Sequence, residues 1–457
     1  MKIISGLFAA LGLYLLASYF TGVSVEKKVQ QFVTDNSAAL AKQGYQLELT
    51  HYERKFFTSH ANVTVHNSNL DIAATFDSRI THGPILFHGG LAIGLMSSVN
   101  TFSLKSNDAD IDAEINEFLG DVNDYFSLTT QVYYTNSFKQ LVKVLPFKKQ
   151  NDNESLAFDG MEFSLTGNID TMKGAFKSRV GKLQVGSEVY TVDVAPITLD
   201  GVYEKVSDAV FLSNYKLNIS SINVAATDEE ESAEGADAML SIQDFSIDST
   251  QTLNGGLVDN KALFRLKSVT GMVDAKDVEF GVELNKIPLT AMDYFVSLSN
   301  AFYANSADEM TEEELQKVTA ALRELVNKSQ LLVKLDGKFM GDGASINSLT
   351  ELRHAPESLD AFVQNAKDFL YADLTITLSE RLLTETFVGI MMSEHFEEQG
   401  DQYVLHARLE DGKILINGNP LPEQIYGGSG DDGDDMEDDM FDELDADAEA
   451  LVDDEDL

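Results

Sequence analysis

The sequence predicts an α+β chain, predominantly antiparallel β with a few amphipathic helices, with an N-terminal transmembrane helix and a disordered acidic C-terminal tail. Three observations predict this. Residues 3–20 form an uncharged apolar run, residues 45–285 alternate apolar and polar side chains in short stretches, and residues 431–457 carry 16 acids and no base.

The apolar run follows Met1 and Lys2 and ends in Tyr19 and Phe20. At about 1.5 Å per residue it reaches roughly 27 Å, and extension to Val23 covers a ~30 Å hydrocarbon core. A signal-anchor spanning residues 1–23 is the expectation, with Gly22-Val23-Ser24 leaving a cleaved signal peptide open as the alternative. Lys2 on one side and Lys27 and Lys28 on the other nearly balance the positive-inside count, and the short N-terminal tail favours export of the bulk. Residues 24–44 read as a helical stalk, since Val25, Val29, Phe32, Val33 and Leu40 recur near helical spacing and Gly44 suits its stop.

From Tyr45 the period switches to two: Tyr45, Leu47 and Leu49 alternate with polar residues, then Ala61, Val63 and Val65. Further strands are expected at Leu156–Thr166, Gly181–Val194, Ala209–Val224, Met239–Ile247, Leu263–Met272 and Val278–Leu284, which makes 45–287 a β-rich region. Residues 288–426 form an α+β region. Ala291–Tyr303 is apolar and aromatic, and Thr311-Glu312-Glu313-Glu314 is a capping box before Leu315, Val318, Leu322, Leu325 and Val326. Strands follow at Leu331–Phe339, Ser345–Leu352 and around Ile376. Ser379 then caps a helix carrying Leu383, Phe387, Ile390 and Met391, and a hairpin turning at Asp411-Gly412 closes the fold. Residues 427–457 are too acidic and too poor in apolar residues to fold.

The net charge is −42, of which the tail carries −16 and the rest −26. Such a surface repels nucleic acid and anionic headgroups, so no nucleic-acid partner is expected. Cysteine is absent, which removes thiol nucleophiles, lipoprotein attachment and Cys-type zinc sites. The eight histidines form no HExxH pair, although His60 and His66 share strand parity, and no G-x-S-x-G or P-loop occurs. Asp431-Asp432-Gly433-Asp434-Asp435 lacks the order of ligands of an EF-hand loop, and a solubilising tail is the simpler reading. No catalytic, cofactor-binding or metal-binding residue is assigned.

Residues 47–59, Leu-Glu-Leu-Thr-His-Tyr-Glu-Arg-Lys-Phe-Phe-Thr-Ser, with Thr81-His82-Gly83-Pro84-Ile85 and Gly412-Lys413-Ile414-Leu415-Ile416-Asn417-Gly418, are distinctive. With the single N-terminal apolar segment they make the chain resemble the YdgA-like family of uncharacterised bacterial envelope proteins, over the length up to about Pro422. The acidic tail departs from that pattern. The resemblance implies a single-pass inner-membrane protein of a Gram-negative bacterium, anchored through residues 3–23, with its bulk in the periplasm and with room for self-association as a homodimer. It supplies no activity. Tyr52, Arg54, Phe56, Phe57, Ser59, His82, Gly83 and Pro84 are the candidate motif residues, read as a structural turn or a partner contact.

Two functions compete. One is a non-enzymatic binding or envelope-organising protein that contacts itself or another envelope protein. The other is a lipid-handling protein with an apolar groove between or along its sheets, which a continuous trough of Leu, Ile, Phe and Val would distinguish. A hydrolase would need a His–carboxylate–Ser geometry.

Overall fold

The computed structural model describes residues 45–421 apart from 68–71, 87–91, 107–108, 110–111, 114–124, 151–153, 188, 208, 227–238, 272–273 and 305–311, together with 18, 20–31, 33–34, 37 and 41. Most of the expected membrane segment, the stop at Gly44 and the acidic tail lie outside the described residues. Among the described residues no helix is long and apolar enough to cross a membrane.

Among the described residues the architecture is mostly antiparallel sheet with few helices. Among the described residues 24 strands form one sheet, assembled largely as a meander in which each strand pairs with its predecessor and successor, and Ile85–Leu86 with Ala92–Ile93 form a separate two-stranded pair. The order runs Tyr45–Arg54, Thr58–Asn67, Ile72–His82, Met96–Ser106, Phe126–Val132 and Ser137–Val144. It continues through Met161–Asn168, Lys173–Val180, Ile197–Lys205, Phe211–Ala226, Leu240–Asn254, Leu257–Gly271, Ala275–Pro288 and Gln330–Phe339. Asp342–Leu352, Leu370–Leu378, Gln402–Glu410 and Lys413–Ile416 complete it. Residues on both sides of position 288 therefore belong to the same sheet.

The alternation that predicted strands decides which face each residue takes, because successive side chains point to opposite faces and directly paired residues share one. Following the pairs, one row reads Leu128, Val142, Phe163, Ser178, Leu199, Leu217, Ile247, Phe264, Phe280, Leu335, Ile346, Ile376 and Leu405. The adjacent row on the opposite face contains Lys143, Glu162, Arg179, Thr198, Asn218, Ser246, Arg265, Glu279 and Asp336. Cross-strand ion pairs such as Lys143–Glu162 at 3.1 Å and Arg265–Glu279 at 3.0 Å lie on that second face. One face of the sheet is apolar and the other is charged.

A line of irregularities crosses nine adjacent strands in register, at 145–146, 159–160, 181–182, 195–196, 220–221, 244–245, 266–267, 277–278 and 337. Its chemistry is that of strand interruption: Pro146 and Pro196 lack a donor, while Gly160, Asp244 and Asp277 take positive φ of 93°, 51° and 52°. Backbone hydrogen bonds still carry the ladder over it, with Gly181 N donating to Gly160 O at 2.7 Å and Ala195 N to Ser221 O at 2.9 Å. Beyond the line a second apolar row runs Phe147, Phe158, Leu183, Val194, Ile222, Ile242, Val269, Ala275 and Phe339. Leu335 and Phe339 alternate regularly on one strand and so share a face. The pairing then places both rows on that same face, the extra residue in each interrupted strand offsetting its three-residue apolar spacing.

Three expected elements divide: Leu156–Thr166 becomes Ser155–Phe158 and Met161–Asn168, split by this line at Asp159-Gly160, and two others break at a turn and at a cap. Gly181–Val194, expected as one strand, is a hairpin of Leu183–Gly186 and Tyr190–Val194, because Ser187 Oγ receives the Val189 and Tyr190 amides and closes a turn. The helix expected after Ser379 is two short ones, Glu380–Glu385 and Phe387–Met392. Thr386 has an extended backbone and caps the second through Gly389 N, which leaves Ile390 exposed. The other expected helices are present as Leu289–Ala304 and Glu312–Leu325.

Candidate functional site

The apolar face is covered at its two ends; between them the helix Leu289–Ala304 packs against buried Val210, Leu212 and Val258 at the strand ends, and the strand centres stay open. At the C-terminal end Leu382 and Leu383 of the helix Glu380–Glu385, with Phe396, bury Leu378, Leu405 and Ile416. At the N-terminal end Val25 of the helical segment 20–31 is fully buried against Ala61, Ile80, Leu95 and Val132, with Val29 beside it. Between these caps Phe163, Leu199, Leu217, Ile247, Phe264, Phe280 and Leu335 are only half-buried. From residue 126 to residue 288 the described strands chiefly contact their hydrogen-bonded neighbours, with Ala275–Pro288 also meeting the helices Leu289–Ala304 and Glu312–Leu325, and among the described residues no second sheet lies over this stretch. Ten strands span it from Phe126–Val132 to Gln330–Phe339, roughly 43 Å at about 4.8 Å per strand. A depression of about 430 Å³ opens at the crease, lined by Val144, Leu145, Met161, Val180, Pro196 and Ile197 among others.

The structure brings the sequence motif together beneath the N-terminal helix. Strands Tyr45–Arg54 and Thr58–Asn67 make a hairpin whose tip is Lys55-Phe56-Phe57, and Ile72–His82 lies next to it. His82 N donates to Phe57 O at 2.8 Å, Gly83 N to Leu95 O at 2.8 Å, and Gly94 N to Pro84 O at 3.0 Å, fixing the His-Gly-Pro corner against both loops. The Gly83-Pro84 bond is cis. Ser59 Oγ and His82 Nε2 are 2.9 Å apart and both residues are buried.

The helix closes over this corner. Thr21 Oγ1 reaches Gly83 O at 3.4 Å, and Arg54 pairs with Glu26 at 2.9 Å. A Cβ on Gly22 would lie 2.6 Å from His82 Nδ1, so only glycine lets the helix backbone rest on the imidazole. Burial pushes the His82 pKa below its ordinary value, the nearby Phe56 carbonyl opposes this, and the Arg54 guanidinium adds to it. Burial pushes the Tyr52 phenol up, with the Ser59 hydroxyl offsetting part of the rise although Tyr52 Oη meets no partner in hydrogen-bond geometry.

Of the eight motif residues, Tyr52, Arg54, Ser59, His82 and Gly83 receive the helix, and Pro84 shapes the corner. Phe56 and Phe57 instead project at the tip, 45% and 41% exposed, with ring centroids 4.8 Å apart in a T-shaped pair. Thr21 and Glu26 were not singled out from sequence, and Gly22 only as part of a cleavage site, because their partners lie 28 to 62 positions away. The Ser59–His82 pair does not extend to a carboxylate, since His82 Nδ1 meets no partner in hydrogen-bond geometry. His60 pairs with Asp77 at 2.5 Å, and among the described residues no group of three or more His, Asp or Glu could hold a metal ion.

Comparison with curated proteins and with solved structures finds no match. A family model described as a bacterial protein of unknown function, DUF945, matches residues 1–390, and the chain belongs to that family.

Proposed function

We propose that this DUF945 member is a non-enzymatic binding protein of the bacterial envelope, of the YdgA-like type, and that its ligand is the acyl chains of lipid laid along the open apolar face. Residues 3–23 hold it to the inner membrane and its bulk lies in the periplasm. The observation that carries this reading is the row of half-buried Leu, Val, Ile and Phe across ten strands, interrupted at Ser178, exposed on one face only and closed by helices at each end. Apolar surface of that extent is stable in water only when something covers it. A stretch of roughly 43 Å exceeds the ~15 Å that one leaflet's chains occupy, so the face accommodates lipid tails along its length. A charged opposite face keeps the other side in water.

The same exposure favours a second reading, in which two copies pack their apolar faces into a sandwich at about 10 Å separation. A photocrosslinking amino acid in place of Ile247, on the apolar face, and in place of Asn218, on the charged face, separates them in the full-length protein in intact envelopes. Lipid adducts from position 247 and none from 218 are expected. A homodimer adduct from 247 would instead establish the sandwich, and equal labelling from both faces would remove the assignment of either occupant.

A further inference from the structure

The apolar exposure at the N-terminal corner is separate from the trough and is the part of the molecule where the uncharged run of residues 3–17 enters. Phe20 on the helix is 65% exposed, Ile93 on the short strand Ala92–Ile93 that pairs with Ile85–Leu86 after the His-Gly-Pro corner is 74% exposed, and Phe56 and Phe57 stand at the hairpin tip. Hydrogen bonds place these residues on neighbouring segments: Phe57 O accepts from His82 N, Thr21 Oγ1 approaches Gly83 O, and Gly94, next to Ile93, donates to Pro84 O. Lys55 at the same tip is an exposed cation that pairs with the likewise solvent-facing Glu53 at 3.5 Å, and Lys27 on the helix is exposed.

We propose that Phe20, Phe56, Phe57 and Ile93 form a docking site for the lipid–water interface of the membrane, with Lys55 reaching the headgroup phosphates. The inference rests on the reading of residues 3–23 as a membrane tether. The occupant follows from chain continuity. The uncharged apolar run that starts at residue 3 leads directly into Ser18 and Phe20, so the bilayer surface lies where the helix emerges and these side chains are the ones that meet it. Aromatic side chains favour that zone because a flat apolar body suits the boundary between headgroups and hydrocarbon, and long cationic side chains reach to phosphate. Docking through the tip as well as the helix fixes the orientation of the sheet relative to the membrane, which a single flexible tether does not.

The chain contains no tryptophan, so one introduced indole is an unambiguous reporter. Full-length Phe57→Trp and Phe56→Trp are reconstituted into phosphatidylcholine vesicles with bromine near the headgroup end of the acyl chains. Val189→Trp, at an exposed turn on the opposite lateral edge of the sheet, is the control. Blue-shifted emission and at least twofold quenching are expected from positions 56 and 57, and none from 189. Protein that floats with the vesicles yet shows no more quenching at 56 and 57 than at 189 would overturn the docking site alone. Protein that does not float with the vesicles would overturn the tether and the docking site together.

Discussion

The capped ends of the apolar face and its open middle are built from the same residue types at the same period, yet they differ in what they do. At the ends, Leu405 is 1% exposed and Val25 is fully buried, because a helix lies across the sheet. In the middle, Leu217 and Ile247 sit in the same rows and stay half-buried. Hydrophobic stabilisation scales with area removed from water, so the ends hold the fold together while the middle retains apolar area for a ligand. The difference teaches that alternation specifies a face, and the helices decide how much of that face is already used.

The largest test of this contrast is truncation. Leu405→Ala should cost about 2–5 kcal/mol and Leu217→Ala about 1.5 kcal/mol or less, measured by chemical denaturation of the ligand-free protein. Equal losses would mean that the middle is covered after all. Gly22→Val should then cost about 1–3 kcal/mol, since its side chain must displace either His82 or the helix. It should also raise hydrogen exchange in residues 20–31 while leaving the strands around Ile247 protected.

Acidification probes the same cap more gently. The folded-state pKa of His82 is lowered, so its neutral form contributes stability that is fully present above the unfolded value near 6.5 and is lost as pH falls through the lower folded value. The groups facing it are Arg54, its partner Glu26 and Tyr52. Loss of helix protection in acid is therefore expected, and His82→Gln should flatten that pH dependence. The smallest effect belongs to Arg54→Met. This variant removes a partly exposed pair with Glu26 and should cost about 1 kcal/mol or less in thermal or chemical unfolding.

Much of the fold was legible because local periodicity is a local property. The alternating stretches from Tyr45 onward became strands, Asp411-Gly412 became a hairpin turn, and Thr58, Ser59 and His82 fell at strand positions beside the expected turns. Gly181–Val194 misled because its apolar residues continue through a turn closed by a single hydroxyl, Ser187. The Ser379 helix misled because Ile390 and Met391 keep helical spacing across a break that Thr386 caps. The hairpin and the His-Gly-Pro corner were recognisable as motifs, but their common task was not. Glu26 and Arg54 meet across 28 positions, and Gly22 and His82 across 60.

Composition and period alone determined a β-rich chain, a membrane-length apolar start, a strongly acidic balance and the absence of any motif for known catalytic chemistry. Those properties belong to single residues or to neighbours along the chain. Only the tertiary structure decided that the apolar rows on either side of the crease share one face, because three-residue spacings at Val194 and Ile197 or at Ile219 and Ile222 read as breaks until pairing supplies the register. It also decided that the motif receives the N-terminal helix, since side chains far apart in sequence become partners only when the sheet brings them within a few ångströms.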